Sequence, residues 1–208
     1  MVGLICAETG VTATTIKIGQ SAALTGLSAA LGVEMRSGIS AYFNSVNSTG
    51  GINGRKLELI TLDDGYEPAQ TASNTKQLIE VDRVFALLGY VGTPTSNAAL
   101  PIFSAAQVPF IAPLTGASSL RAHFHRQIFN IRASYVDEGK RIVDTMRMFG
   151  EDKVAIFYQA DAYGEAVRDA TVAALGQIKA KPIALATVPR NSLEVKVAPM
   201  ASILEKGV

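Results

Sequence analysis

Short apolar, β-rich runs alternate along this chain with longer segments in which apolar residues recur at helical spacing. From Ile16 onward the strand candidates are IKIGQSA, KLELITLD, VFALLGY, PFIAP, QIFNIR, KVAIFYQ and KPIALATV. Strands alternating with helical patterns predict an α/β fold, a parallel sheet flanked by helices. Between the first two strands, Leu31, Met35, Ile39, Tyr42, Phe43 and Val46 mark one amphipathic helix whose intervening polar residues face outward. NSTGG ends it, because glycine permits the turn that closes a helix, and NGR at Asn53–Arg55 predicts a tight turn into the second strand. Pro68 suits an early helical position, where a missing N–H costs little. ASYVDEGKRIVDTMRMFG is again helical in period, with Ile142, Val143, Met146 and Phe149 on one face.

The alternation suggests a change of unit near Arg132–Ser134. Residues 1–15 then form a leader remnant or disordered N-terminus, 16–132 a first lobe and 133–208 a second. Only two strand candidates fall in the second lobe, fewer than a sheet usually has, so it is expected to be incomplete.

Composition narrows the function. Hydrophobic residues make up 48% of the chain and charged residues 18%, with 19 Lys+Arg against 18 Asp+Glu, which argues against disorder and against a nucleic-acid partner. No stretch is long and apolar enough to span a bilayer, so the chain is not expected to be membrane-embedded. The single cysteine, Cys6, excludes an internal disulfide. Lipidation at Cys6 stays open, but Ile5 is not the small residue expected before such a site, and a secretory leader needs ~15 residues or more.

Ligands of open α/β sheets sit outside the carboxyl ends of the strands, where helix N-termini present unpaired N–H groups. In LGYVGTPTS a strand runs out through Val91 into Thr93, a candidate N-cap, with Pro94 as first helical residue and the N–H and hydroxyl groups of Thr95 and Ser96 turned to the crevice. After PFIAP, Leu114 leads into TGASS, where Thr115, Gly116, Ser118 and Ser119 repeat the arrangement. The pair suits a carboxylate; P-loop lysine and dinucleotide glycine spacing are both missing, and no cofactor is called for. Either loop alone reads more readily as an ordinary helix cap, and only the two in succession bring the site reading level with that one. In FYQADAYGEA, Tyr158, Asp161 and Tyr163 follow a strand of the second lobe. There an aromatic ring could cover an apolar ligand and a carboxylate receive an ammonium group, although Asp161 also reads as a plain N-cap.

Asp63, Asp64 and Glu67 could be metal ligands, yet an acidic pair at a strand end is more often a solvated turn. His123 and His125 lie among arginines that would repel a cation, which favours a surface loop. They are the only histidines, and no nucleophile-elbow glycines surround a serine, so no catalytic apparatus is visible and no enzyme is expected.

IKIGQSAALTG, GGINGRKLEL, DDGYEPAQTASNTKQLI, LGYVGTPTSNAALPIF with VPFIAP, and KVAIFYQADAYGEA resemble, in order and spacing, the type I periplasmic solute-binding proteins of branched-chain amino acid ABC transporters. The likeness runs from Ile16 to Leu204. It implies a two-lobed, flytrap-like periplasmic receptor that closes on an amino acid or related small carboxylate and presents it to a membrane permease. It further implies ligand contacts at Thr93, Leu114 and Gly116, partly through backbone, and at Tyr163. Two positions depart from that pattern: Leu31 stands where branched-chain receptors carry tyrosine, and Gly116 where they carry threonine, with Thr115 one place earlier. The resemblance also implies ~150 further residues in such receptors, making this chain correspond to an N-terminal portion. A ligand-sensing domain of a signalling receptor with the same fold is the alternative.

Overall fold

A computed structural model describes residues 8–151 and 153–193. Cys6, the expected leader remnant around it and the closing VAPMASILEKGV lie outside the described residues. Contacts divide the chain into two compact units, the first taking in the chain up to Leu114 and His125–Ile131, the second Thr115–Phe124 and everything from Arg132 onward.

The first unit is built on strands β1 (Thr15–Ala22), β2 (Lys56–Asp63), β3 (Ala86–Leu88), β4 (Phe110–Ile111) and β5 (Ile128–Phe129), in the order β2-β1-β3-β4-β5. Every pair is parallel; β1 and β2 run in register from Thr15 opposite Lys56 to Ala22 opposite Asp63. Because β1 lies between β2 and β3, successive crossovers leave it in opposite directions, and the carboxyl ends of β1 and β3 flank a topological switch point.

Helix α1 (Ala29–Ser48) connects β1 to β2, α2 (Pro68–Lys76) follows β2, and α3 (Thr93–Ala106) joins β3 to β4. Pro68 opens α2 as its first residue. The NGR turn forms as expected: Ile52 and Arg55 exchange both backbone bonds, and Asn53 and Gly54 take φ of 50° and 80°. Tyr90, Phe103 and Phe110 fill the core under α3, with Phe103 stacked on Phe110 at 4.4 Å and Tyr90 edge-on to Phe110 at 5.1 Å.

Two side chains expected on the buried stripe of α1 face solvent instead, Leu31 and Tyr42. The buried line of the helix runs through Gly32 and Phe43, and at ~100° per residue Leu31 and Tyr42 fall roughly a quarter-turn or more away from it. Gly32 sets that line, since a Cβ there would stand 1.9 Å from the Ala23 carbonyl oxygen, and only glycine lets α1 come so close to the end of β1.

The second unit holds a parallel pair, β6 (Ala155–Gln159) and β7 (Ala184–Val188), with α4 (Tyr135–Met148) and α5 (Ala162–Gln177) packed on each other. Val143, Val154, Ile156, Ala174 and Leu175 form its core, and Met146 packs against it. Ile142 and Phe149, expected on the buried face of α4, are exposed. The buried line runs Tyr135, Gly139, Val143, which places Ile142 a quarter-turn off, and Phe149 lies past the helix end.

Candidate functional site

The first unit holds the topological switch point. After β3 the chain passes Tyr90, Val91 and Gly92 into α3, and Val91 pairs in parallel with Leu114, whose N–H donates to the Tyr90 carbonyl at 2.7 Å. Val91, Thr93, Thr95 and Leu114 thus come together at the carboxyl edge of the sheet. Gly92, rather than Thr93, is the N-cap, with φ 100° and ψ 156°, a conformation open essentially to glycine alone. Thr93 and Pro94 are the first two helical residues. The Thr95 hydroxyl, expected to turn outward, donates back to the carbonyls of Val91 and Gly92, and the Ser96 N–H donates to Gly92. What the turn offers a ligand is therefore the positive end of the α3 dipole, which favours a carboxylate.

Tyr66 forms the wall behind this turn, a role its sequence position did not announce. A Cβ on Gly92 would lie 2.4 Å from Tyr66 Cε2, so the cap exists because the ring and glycine interlock. Tyr66 itself takes φ 65°, rare for a non-glycine residue, and its N–H donates to Asp64 Oδ1 at 2.9 Å. It packs in a buried cluster with Ala22, Ala23 and Val91, against Met35 and Leu114.

Asp64 holds that wall in place and is neither a solvated turn residue nor an open metal ligand. It is 2% exposed, and Oδ2 accepts from Ser21 Oγ at 2.7 Å and Thr71 Oγ1 at 3.1 Å. Asn74 extends the network to Ser21 Oγ and the Asp63 carbonyl, which explains why α2 buries Thr71 and Asn74, while Thr75 is buried against the Tyr90 hydroxyl at 3.1 Å. Burial raises the Asp64 pKa despite these donors. Its neighbour behaves oppositely: although partial burial pushes Asp63 up, hydrogen bonds from the Thr25 hydroxyl and from the N–H groups of Leu24, Gly65 and Thr25 hold it below the usual range. Among the described residues no group of three acidic, His or Cys side chains could hold a metal ion.

Thr115, Gly116, Asp161 and Tyr163 belong to the second unit. Thr115 Oγ1 accepts from the Ala117 N–H at 3.1 Å, but the loop opens only a three-residue 3-10 turn, Ser118–Leu120. The expected second helix start is absent there, since RAHFHR beyond it has no apolar period to bury. Gly116 accepts from the Tyr135 N–H at 2.8 Å, and a Cβ on it would meet Tyr135 Cδ1 at 2.7 Å. Asp161 caps α5, accepting from the N–H groups of Tyr163 and Gly164 at 3.0 Å. Tyr163, 40% exposed, stands edge-on to Tyr135, and burial raises its phenol pKa.

Comparison with known proteins bears on this arrangement. The profile of a family described as periplasmic binding protein matches residues 15–204. An amino acid binding protein of Pseudomonas aeruginosa is 26% identical over 81% of this chain, and Leu/Ile/Val-binding protein homolog 3 of Brucella melitensis 28% identical over 78%. The crystal structure of a possible leucine/isoleucine/valine-binding protein from Rhodopirellula baltica superposes with a TM-score of 0.85 at 36% identity, covering 94% of this chain. This chain spans 45% and 44% of the two sequence relatives and 53% of the solved one. These relatives are binding proteins rather than enzymes.

Proposed function

The chain belongs to the periplasmic binding protein family, and on that premise we propose that it is the ligand-capturing part of a periplasmic receptor for an amino acid or related small carboxylate, serving an ABC transporter permease. The match across residues 15–204 carries the reading, and the relatives named for Leu, Ile and Val point to the ligand class. In this reading the α3 N-terminus at Gly92–Thr93 takes the carboxylate, Val91, Thr95 and Leu114 complete that turn, and Thr115, Gly116, Asp161 and Tyr163 contribute from the second unit. Asp161 acts there mainly by holding Tyr163 at the start of α5, since its carboxylate caps the helix. No helix among the described residues is long and apolar enough to cross a membrane.

The reading departs from a branched-chain receptor at two places. Leu31 is exposed where an aromatic contact would be expected, and Gly116 has no hydroxyl for an ammonium group. Small carboxylates without an amine therefore belong in the test. A thermal-shift screen of the protein against the branched-chain amino acids, acidic amino acids and simple aliphatic and aromatic carboxylates is expected to show a saturable rise in Tm for one of these groups. A flat response across the whole panel would overturn the proposal.

A further inference from the structure

The candidate contacts of the second unit, Gly116 and Tyr163, meet through one side chain that is neither. Tyr135 is the first residue of α4, 4% exposed, and it touches both. Its N–H donates to the Gly116 carbonyl at 2.8 Å, and its ring occupies the space that a Gly116 side chain would need. On the same ring Tyr163 stands edge-on, with centroids 5.8 Å apart and planes at 66°.

The ring has little freedom of its own. Ala117 and Ala170 are buried in one cluster with it, and Ala166 and Val167 pack against that cluster. Small residues let α5 approach closely enough to form a slot. The backbone is fixed by Ser134, which caps α4 by accepting from the Asp137 N–H at 3.1 Å. Arg132 adds a third constraint: its guanidinium lies 5.4 Å from the ring centroid and is itself clamped by Glu138, Nε to Oε1 at 3.0 Å and Nη2 to Oε2 at 3.1 Å.

We propose that Tyr135 is the positioning residue of the ligand site in this unit: it couples the Gly116 turn to the Tyr163 ring, so that both are presented in one fixed geometry, with Arg132 and Glu138 holding the coupling ring. This rests on the site reading above. An aromatic pair of this geometry, worth more than its buried area, is enough to select one Tyr163 rotamer over its alternatives. The proposed coupling runs through the ring, so Tyr135→Phe separates the ring from the phenol.

The test has one readout without ligand and one with. In the full chain, NMR three-bond couplings of Tyr163 are expected to report a single χ1 rotamer in the wild type and in Tyr135→Phe, and averaged rotamers in Tyr135→Leu. With L-leucine as the probe, dissociation from Tyr135→Leu is expected to be roughly three- to tenfold faster and from Tyr135→Phe unchanged. Should Tyr135→Leu fail to fold, Arg132→Gln keeps the buried ring and is expected to average Tyr163 in the same direction. A folded Tyr135→Leu or Arg132→Gln protein with Tyr163 still in one rotamer overturns the coupling. Absence of L-leucine binding by the wild type counts against that ligand, while the rotamer measurement still decides the role of Tyr135.

Discussion

Gly92 and Asp64 both hold the Tyr66 ring against the turn that opens α3. Gly92→Ala would place a methyl group within the Tyr66 ring and force a side chain into a glycine-only conformation. It is expected to cost about 2–4 kcal/mol in chemical denaturation and to weaken ligand binding. Asp64→Ala would take the acceptor from the Ser21 hydroxyl and break the bonds from the Tyr66 N–H and from the Thr71 hydroxyl, which keeps the Glu67 carbonyl, a loss of about 1–3 kcal/mol by the same assay. The sign of the pH effect differs between the two neighbouring aspartates. The folded pKa of Asp64 is raised, so the folded state holds its proton more tightly than the unfolded chain, and stability falls as pH rises from the ordinary carboxylate range through the raised value. Asp63 is lowered, and its contribution is present above the ordinary range and lost as pH falls through the folded value. Asp64→Asn is therefore expected to flatten the decline in stability with rising pH; an unchanged slope would show that another group sets it.

At the scale of elements, the strands were the most legible feature of the chain. All seven candidates form strands, although β3, β4 and β5 shrink to two or three paired residues within longer apolar runs. Apolar composition reports burial on both faces, whereas pairing stops wherever the chain turns to start a helix. The helices were legible in place and less so in orientation. Apolar spacing alone could not separate Phe43 from Tyr42, or Val143 from Ile142, because each pair differs by one step and the deciding contacts are with glycines, Gly32 and Gly139, that spacing ignores. Of the two polar loops singled out after strands, only the one after β3 opens a helix, and the packing behind both was not legible. Tyr66 and Tyr135 are ordinary residues in sequence, and their roles arise from interlocking with Gly92 and Gly116. Asp161 was readable as a cap, and removing it by Asp161→Ala is expected to cost about 1 kcal/mol and to fray the first turn of α5, seen as faster amide exchange at Tyr163 and Gly164. Unaltered exchange there would mean the turn is held by packing alone.

For the whole molecule, the proposed function makes a small carboxylate the ligand and gives Thr93 and Tyr163 a part in binding it. A ligand stabilises whichever conformation it binds better, and if the proposed contacts hold, substitution of either residue weakens the same binding event. Thr93→Ala and Tyr163→Ala sample the two contributions. Calorimetric titration of the wild type and both variants, with the carboxylate that gives the largest thermal shift, decides whether these residues bind it. The expected result is a single site in the wild type and a weaker one in each variant, with stopped-flow release from Tyr163→Ala faster than from the wild type. Binding that neither substitution changes, or that only one unit's substitution affects, would contradict it.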